Sequence, residues 1–441
     1  MTLAGFCIGI SNMWKFPYIV GENGGGAFLI IYIICAITIG IPLFILEQQL
    51  GRSSQLSGVA GMEALAAKHK KFWGACGWMG LITVLLIAFY FWTILGWNVG
   101  YLGMVIGGKL YGMDNDAVVQ TFTEFSGSWP CVLCSAACAL LVWLMLNTDI
   151  KKGVEKLCSV ALPLLIFMLA GLAIYSATLP GAIEGLKWYL IPHLDDFDFM
   201  AAFQAAVVQV FFSVGIGMAC AFVYGSYIRK DSNLCGDACI AVGLDTLVAT
   251  LSGLVIVPAL FAFDVVPASG PSLIFISLPQ VFTAMGNIAG RIFGAVFLTA
   301  VFLACITSMV AVVEAAVANM NDKFGWSRKM TNTLTVILTF GVSVIVTINQ
   351  GSGALNNIKL FGQDLFSLFD TIASAFGLTL TTLFELAFVI FCMGFTRFQK
   401  EVNLGAGKIR VWSWLKWHYN FVLPAVLCFV IICIFKVYGI I

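Results

Sequence analysis

Apolar residues run through this chain in stretches of about 20, the length at which a helix spans a bilayer. Eleven such stretches are legible, centred near residues 10, 38, 90, 138, 166, 215, 250, 305, 340, 378 and 428. Their apolar residues are continuous rather than alternating, which excludes a transmembrane β-barrel. The pattern predicts an all-α polytopic membrane protein of eleven helices, one transmembrane domain over 1–441. Two stretches are interrupted. "GISNMWKFPY" (9–18) holds Gly9, Ser11, Asn12, Lys15 and Pro17, and "QVFFSVGIGMACAFVYGSY" (209–227) holds the run 215–219, "GIGMA". Backbone that leaves the helix at membrane depth is tolerated only where it lines a protein cavity or binds something. Half-helix N-termini attract a carboxylate, and freed carbonyls suit a hard cation such as Na⁺. The alternative is that these glycines only allow close helix packing. The two breaks lie five spans apart, which predicts inverted repeats over about 1–178 and 200–395 and an added helix at about 417–438.

Composition agrees: 61% of residues are hydrophobic and only 10% charged, against about 25% in a soluble domain. The net charge of +1 gives no reason to expect a nucleic-acid partner; the partner that the apolar stretches imply is the lipid bilayer. The charges also orient the chain. With the N-terminus cytoplasmic, the inner loops hold Arg52, Lys68, Lys70 and Lys71; Lys151, Lys152 and Lys156; Arg229 and Lys230; Lys323, Arg328 and Lys329; and Arg397, Lys400, Lys408, Arg410 and Lys416. These are 17 of the 23 basic residues. The positive-inside rule then places the C-terminus outside. "MTLAGFCIGI" does not read as a signal peptide, and with fewer than twenty residues before Pro17 part of the first span's start is expected upstream.

Chemistry narrows the reading further. Most of the fourteen cysteines lie in apolar spans, where they serve as small apolar residues. Cys131, Cys134 and Cys138 read as a packed helix face, since no His or carboxylate joins them. His69, His193 and His418 are far apart, and no zincin, nucleophile-elbow or P-loop pattern occurs, so an enzyme is not expected. Lys15, Glu47, Asp245, Glu314, Asp370 and Glu385 are the ionisable residues in or at the edges of spans. Each costs about 2.5–3.5 kcal/mol at a helix centre, so they must pair or mark a pathway. Lys15, Asp245 and Asp370 sit beside broken or Gly-containing segments and favour a pathway, whereas Glu385 reads as paired or near headgroups.

The stretches "GISNMWKFPY", "NGGGAF" (23–28), "GIPLFILEQQLGR" (40–52), "QVFFSVGIGMA", "GSYIRKD" (225–231), "DTLVATLSGLVIVPALFAF" (245–263), "ACITSMVAVVE" (304–314) and "FDTIASAFGL" (369–378) resemble, in order, the neurotransmitter:sodium symporters of the LeuT fold. The resemblance implies sodium-coupled amino-acid uptake by alternating access, with discontinuous helices 1 and 6. It implies one sodium site at Cys7, Asn12, Ser213 and Asp245, and a second at Gly5, Ile8, Ala304, Thr307 and Ser308. Such all-oxygen ligation suits a hard cation. It implies a substrate pocket of Cys7, Gly9, Ile10, Ser11, Ile87, Phe91, Phe212, Gly215, Met218, Ser308 and Val312. It also implies an outer gate of Lys15 and Asp370, with Phe212 and Phe91 as the lid beneath, and an inner gate of Tyr227 and Asp322.

Departures from the family pattern shape the expected substrate. Gly9 stands where monoamine members carry an aspartate, which argues for an α-amino acid that brings its own carboxylate. Gly215 and Met218 suggest room for a large apolar or aromatic side chain such as tyrosine, tryptophan or leucine. A small neutral amino acid, or a transport-inactive sensor, is the alternative. Phe91 aligns with the family's pocket tyrosine, while Tyr90 lies one position away. Lys15 replaces the commoner arginine and cannot fork onto Asp370, so a looser outer gate is expected. The inner gate's N-terminal arginine has no counterpart. Asp245 stands where asparagine is usual. With Tyr32 and Gln209 it would supply the charge that chloride supplies elsewhere, so chloride-independent transport is expected, with proton counter-movement as a corollary. A prokaryotic inner membrane follows from that layout.

Overall fold

The computed structural model describes residues 2–147, 150–195, 197–268, 270–405 and 407–437. Nine helices among these are long and apolar enough to cross a membrane: Gly26–Ser54, Lys70–Ile106, Trp129–Asn147, Glu155–Ala177, Leu234–Ala262, Asn287–Phe324, Arg328–Ile348, Leu365–Met393 and Leu415–Lys436. They cover nine of the eleven expected centres. The other two centres fall on helices in two pieces, Thr2–Cys7 with Lys15–Glu22, and Phe199–Val214 with Cys220–Ser226.

Lys70–Ile106 and Asn287–Phe324 are the two longest helices and the most enclosed, and they pack on each other at the centre. Outer helices turn Leu133, Phe167 and Ile174 outward, as lipid contact requires. Lipid tails are as apolar as leucine, so helix association depends on close backbone approach and polar contacts. Both are visible. A Cβ at Gly51 would collide with the Phe222 carbonyl, and one at Gly225 with the Gln48 backbone, so Gly26–Ser54 lies directly against Cys220–Ser226. Trp92 Nε1 donates to Thr339 Oγ1 at 3.1 Å, and Thr93 meets Thr347 and Ser343 at 2.8 and 3.2 Å, which ties Lys70–Ile106 to Arg328–Ile348.

Candidate functional site

The first break begins where Thr2–Cys7 ends. Gly9 is extended, Ile10–Asn12 form one tight turn, and a regular helix resumes at Lys15. Every residue from Ala4 to Trp14 is buried, so its freed peptide groups need partners. Asn12 supplies one, its Oδ1 accepting from Gly9 N–H at 3.1 Å. The second break follows Val214. Gly215 and Gly217 lie at φ +72° and +80°, and Ala219 at +60°, a left-handed conformation that costs a non-glycine residue about 1–2 kcal/mol. Here Glu47, from the distant helix Gly26–Ser54, accepts from Gly217 N–H at 3.0 Å.

Between the breaks lies a tight cavity of about 50 Å³, well below the ~300–1,000 Å³ of an open small-molecule site. All eleven residues expected in a substrate pocket line it. Phe6, Trp14, Tyr90, Ile94 and Ser213 join them, and no charged side chain does. A Cβ on Gly9 would stand 3.1 Å from Ser308 Oγ, so an acidic side chain there would crowd that hydroxyl. Gly215 does not open space as its small size suggested. A Cβ there would fall 2.6 Å from Phe6 Cε2, because the Phe6 ring already fills the gap, stacked between Phe44 and Tyr224.

Beside the cavity Asp245 is completely buried. Asn12 Nδ2 donates to its Oδ1 at 2.7 Å and to its main-chain oxygen at 3.0 Å. Ser213 Oγ donates to Oδ2 at 2.8 Å, and Tyr32 OH reaches Oδ2 at 3.5 Å. Asp245 thus joins both breaks. Its partners are all neutral, and it belongs to none of the ion pairs among the described residues. A buried carboxylate without a cation is costly, so this donor set fits a small hard cation. Gln209, expected at the same place, is buried and makes no hydrogen bond through its side chain. In the second expected set Ser308 Oγ donates to Ile8 O at 3.0 Å and to Phe6 O at 3.4 Å. Thr307 Oγ1 donates to Ala304 O and Leu303 O at 3.0 Å each. Gly5 is buried against Cys158 of Ile150–Ala177. No group of three or more His, Cys, Asp or Glu able to hold a metal occurs among the described residues, the Cys131 cluster included.

Above the cavity Lys15 Nζ lies 3.9 Å from Asp370 Oδ2 and 4.4 Å from the centre of the Phe212 ring. Asp370 Oδ1 also accepts from Tyr90 OH at 2.9 Å and Ser374 Oγ at 2.7 Å. Tyr90 therefore faces the cavity while its hydroxyl serves the gate, and Phe91 beside it presents only a ring. At the opposite end Tyr227 and Asp322 are not hydrogen-bonded to each other. Tyr227 OH donates to Glu314 Oε1 at 2.7 Å, and Arg328 forks onto the same carboxylate at 3.1 and 2.5 Å. Asp322 instead accepts from Ser57 N–H at 2.7 Å. Glu314 was visible as an acid inside a span and Glu47 likewise, but no sequence pattern named their partners.

The chain is similar to known proteins along nearly its whole length. A solved structure of MhsT in complex with L-phenylalanine is 31% identical, superposes with a TM-score of 0.88, and matches 98% of this chain and 97% of its own. An uncharacterized sodium-dependent transporter of Haemophilus influenzae is 30% identical over 98% of this chain and 95% of its own length. The human sodium- and chloride-dependent GABA transporter 2 is 27% identical over 97% of this chain and 77% of its own. The model of the sodium:neurotransmitter symporter family matches residues 1–116 and 117–440. With broken helices around an uncharged cavity and matches along its whole length, the chain belongs to the sodium:neurotransmitter symporter family, a multi-pass membrane family of sodium-dependent transporters.

Proposed function

We propose that this transporter imports a neutral α-amino acid together with Na⁺ by alternating access, without chloride. The observation that carries this reading is Asp245, a buried carboxylate with only neutral partners beside a cavity that no charged side chain lines. Sodium held at Cys7, Asn12, Ser213 and Asp245 would balance that charge and meet the carboxylate of a zwitterionic substrate. A second ion would sit among Gly5, Ile8, Ala304, Thr307 and Ser308. Two sodium ions with a zwitterion move two charges, worth about 4.6 kcal/mol per 100 mV, or roughly a thousandfold gradient. The layout is ten spans in two inverted repeats of five, over about 1–178 and 200–395, with an added helix at about 417–438, in a prokaryotic inner membrane with the N-terminus inside.

The substrate side chain is proposed to be large and apolar or aromatic. The relative solved with L-phenylalanine and the apolar, aromatic lining of the cavity support this. Phe6, which fills the gap at Gly215, favours a second reading, a smaller neutral amino acid. The test is uptake of labelled tyrosine into proteoliposomes, with Na⁺ against K⁺ outside and chloride against gluconate. Na⁺-driven uptake that ignores chloride and is competed by phenylalanine and leucine is expected. Competition by alanine and glycine alone would select the second reading. Na⁺-dependent binding without uptake would replace transport by sensing.

A further inference from the structure

A second, larger cavity of about 600 Å³ opens at the basic end of the molecule, outside the transport site. It lies between the end of Leu365–Met393, the short helix Phe395–Val402 and the start of Leu415–Lys436. Its wall is divided by chemistry. Ile390, Met393 and Phe395 form an apolar side, while Arg397, Lys400 and Lys416 bring three cations, with the Thr396 hydroxyl and the Asn420 amide between them. No carboxylate lines it, and none of the three cations takes part in an ion pair among the described residues. The Phe395–Val402 helix starts at Gly394 with no side-chain cap, so its first N–H groups add to the same positive end.

The frame around the cavity is fixed. Arg52 is buried and donates to the carbonyls of Glu401, Val402, Leu404 and Ser232, which holds the end of the short helix. Gln399 and Asn403 bind Val411 and pin the following loop. Turns of π-helix, Val389–Met393 and His418–Val422, flank the opening on both sides. Such turns recur at functional sites. Trp412, Trp414, Trp417, Phe391 and Phe421, close in sequence to the lining residues, are exposed, the aromatic dress of a membrane–water interface.

We propose that this cavity binds the headgroup of an anionic phospholipid, with the phosphate among Arg397, Lys400 and Lys416 and the acyl chains leaving over Ile390 and Met393. Three unpaired cations call for an anion, and the apolar side and aromatic rim call for one that carries hydrocarbon. A basic pocket between transmembrane helices is the form such lipid sites take.

The test titrates phosphatidylglycerol and phosphatidylcholine into the full-length transporter in neutral detergent, with bound lipid read by native mass spectrometry. Each cation removed is expected to weaken phosphatidylglycerol about fivefold, from about 1 kcal/mol per basic residue at an anionic surface. The triple variant R397Q/K400Q/K416Q should lose roughly a hundredfold, and phosphatidylcholine should not respond. K70Q/K71Q, exposed at another helix start on the same end, should bind as the unaltered chain does. Equal binding of the two lipids, an unaffected triple variant, or an equal loss in K70Q/K71Q overturns the proposal. Displacement by soluble glycerol phosphate would also overturn it, as a site for a free anion. All three side chains are exposed, and unchanged Na⁺-dependent amino-acid binding by the triple variant confirms that it is folded.

Discussion

Replacing Asp245 by asparagine removes one charge and almost no volume. The amide oxygen can still accept from Asn12 Nδ2, now at 2.7 Å, and the amide N–H₂ can face Ser213 and Tyr32, whose hydroxyls turn to accept. The fold is therefore expected to survive. Two short charge-assisted bonds become neutral ones, at a loss of about 1 kcal/mol each. The larger effect falls on sodium. A unit charge about 4 Å from a cation is worth about 4 kcal/mol at an effective dielectric of 20, before desolvation is subtracted. A net loss of about 1.4–4 kcal/mol corresponds to a tenfold to thousandfold lower sodium affinity. Chloride should then become useful. Tyr32, Ser213 and Gln209, whose amide lacks a partner and lies one turn from Ser213, remain as donors for an anion. The assay is the sodium dependence of amino-acid uptake in chloride and in gluconate. The unaltered transporter should give one curve in both salts. The Asp245→Asn curve should shift to higher sodium in gluconate and move back by at least threefold in chloride. A variant whose sodium dependence stays within twofold of the parent and ignores chloride would falsify the role given to this carboxylate.

Other residues carry predictions of their own. Gly215→Ala combines a left-handed φ of +72° with a collision against Phe6, and should lower the thermal midpoint and substrate affinity at least tenfold. Phe6→Leu should relieve part of that loss, and alone should shift competition toward longer side chains; an unchanged competition profile would remove Phe6 from selectivity. Lys15→Arg can fork onto Asp370, where lysine makes one contact of 3.9 Å, so uptake should slow while equilibrium substrate binding holds or tightens. Faster uptake would contradict that. Arg328→Gln leaves the buried Glu314 carboxylate with only Tyr227, a break that costs about 3–5 kcal/mol for a buried pair. Thiol labelling of a Ser226→Cys reporter, buried beside this network, should then rise from the end that carries Arg328, and unchanged labelling would show that this ion pair does not close the inner end.

The transmembrane helices and both breaks were legible because they are local properties of the chain. Apolar runs of bilayer length, and the glycines and Asn12 that interrupt them, need no knowledge of what packs where. The pocket lining was legible through resemblance, and the structure gathers those residues around one cavity. What the pattern could not reveal was the choice of partner. Tyr90 and Phe91 are adjacent in sequence, yet only the fold decides that the Tyr90 hydroxyl turns to Asp370. The room expected at Gly215 vanished because Phe6, more than two hundred residues earlier, occupies it. Tyr227 and Asp322 were paired by analogy, and each found a closer group in Glu314 and Ser57.

These partner choices also bear on how sodium could be coupled to movement. The first break is tied to Asn287–Phe324 by one flexible group, Ser308 Oγ donating to Ile8 O, and to Leu234–Ala262 by Asn12 on Asp245. A hydroxyl that donates to a carbonyl can turn so that its oxygen and the carbonyl face the same cation, with no rearrangement of the backbone. At the other tie the Asn12 amide already stands against the carboxylate a cation requires. In the proposed cycle, each sodium would therefore replace a hydrogen bond at a joint that already exists and would draw more oxygens into it. Binding would lock the first break to both helices, and release would return each joint to the hydrogen bonds that hold it now. Glu47, which holds Gly217 from Gly26–Ser54, lies outside both sodium sets, so the second break keeps one anchor that sodium does not control. On this reading, sodium stiffens the first break against the bundle around it, while the second stays fastened at Gly217 in either state.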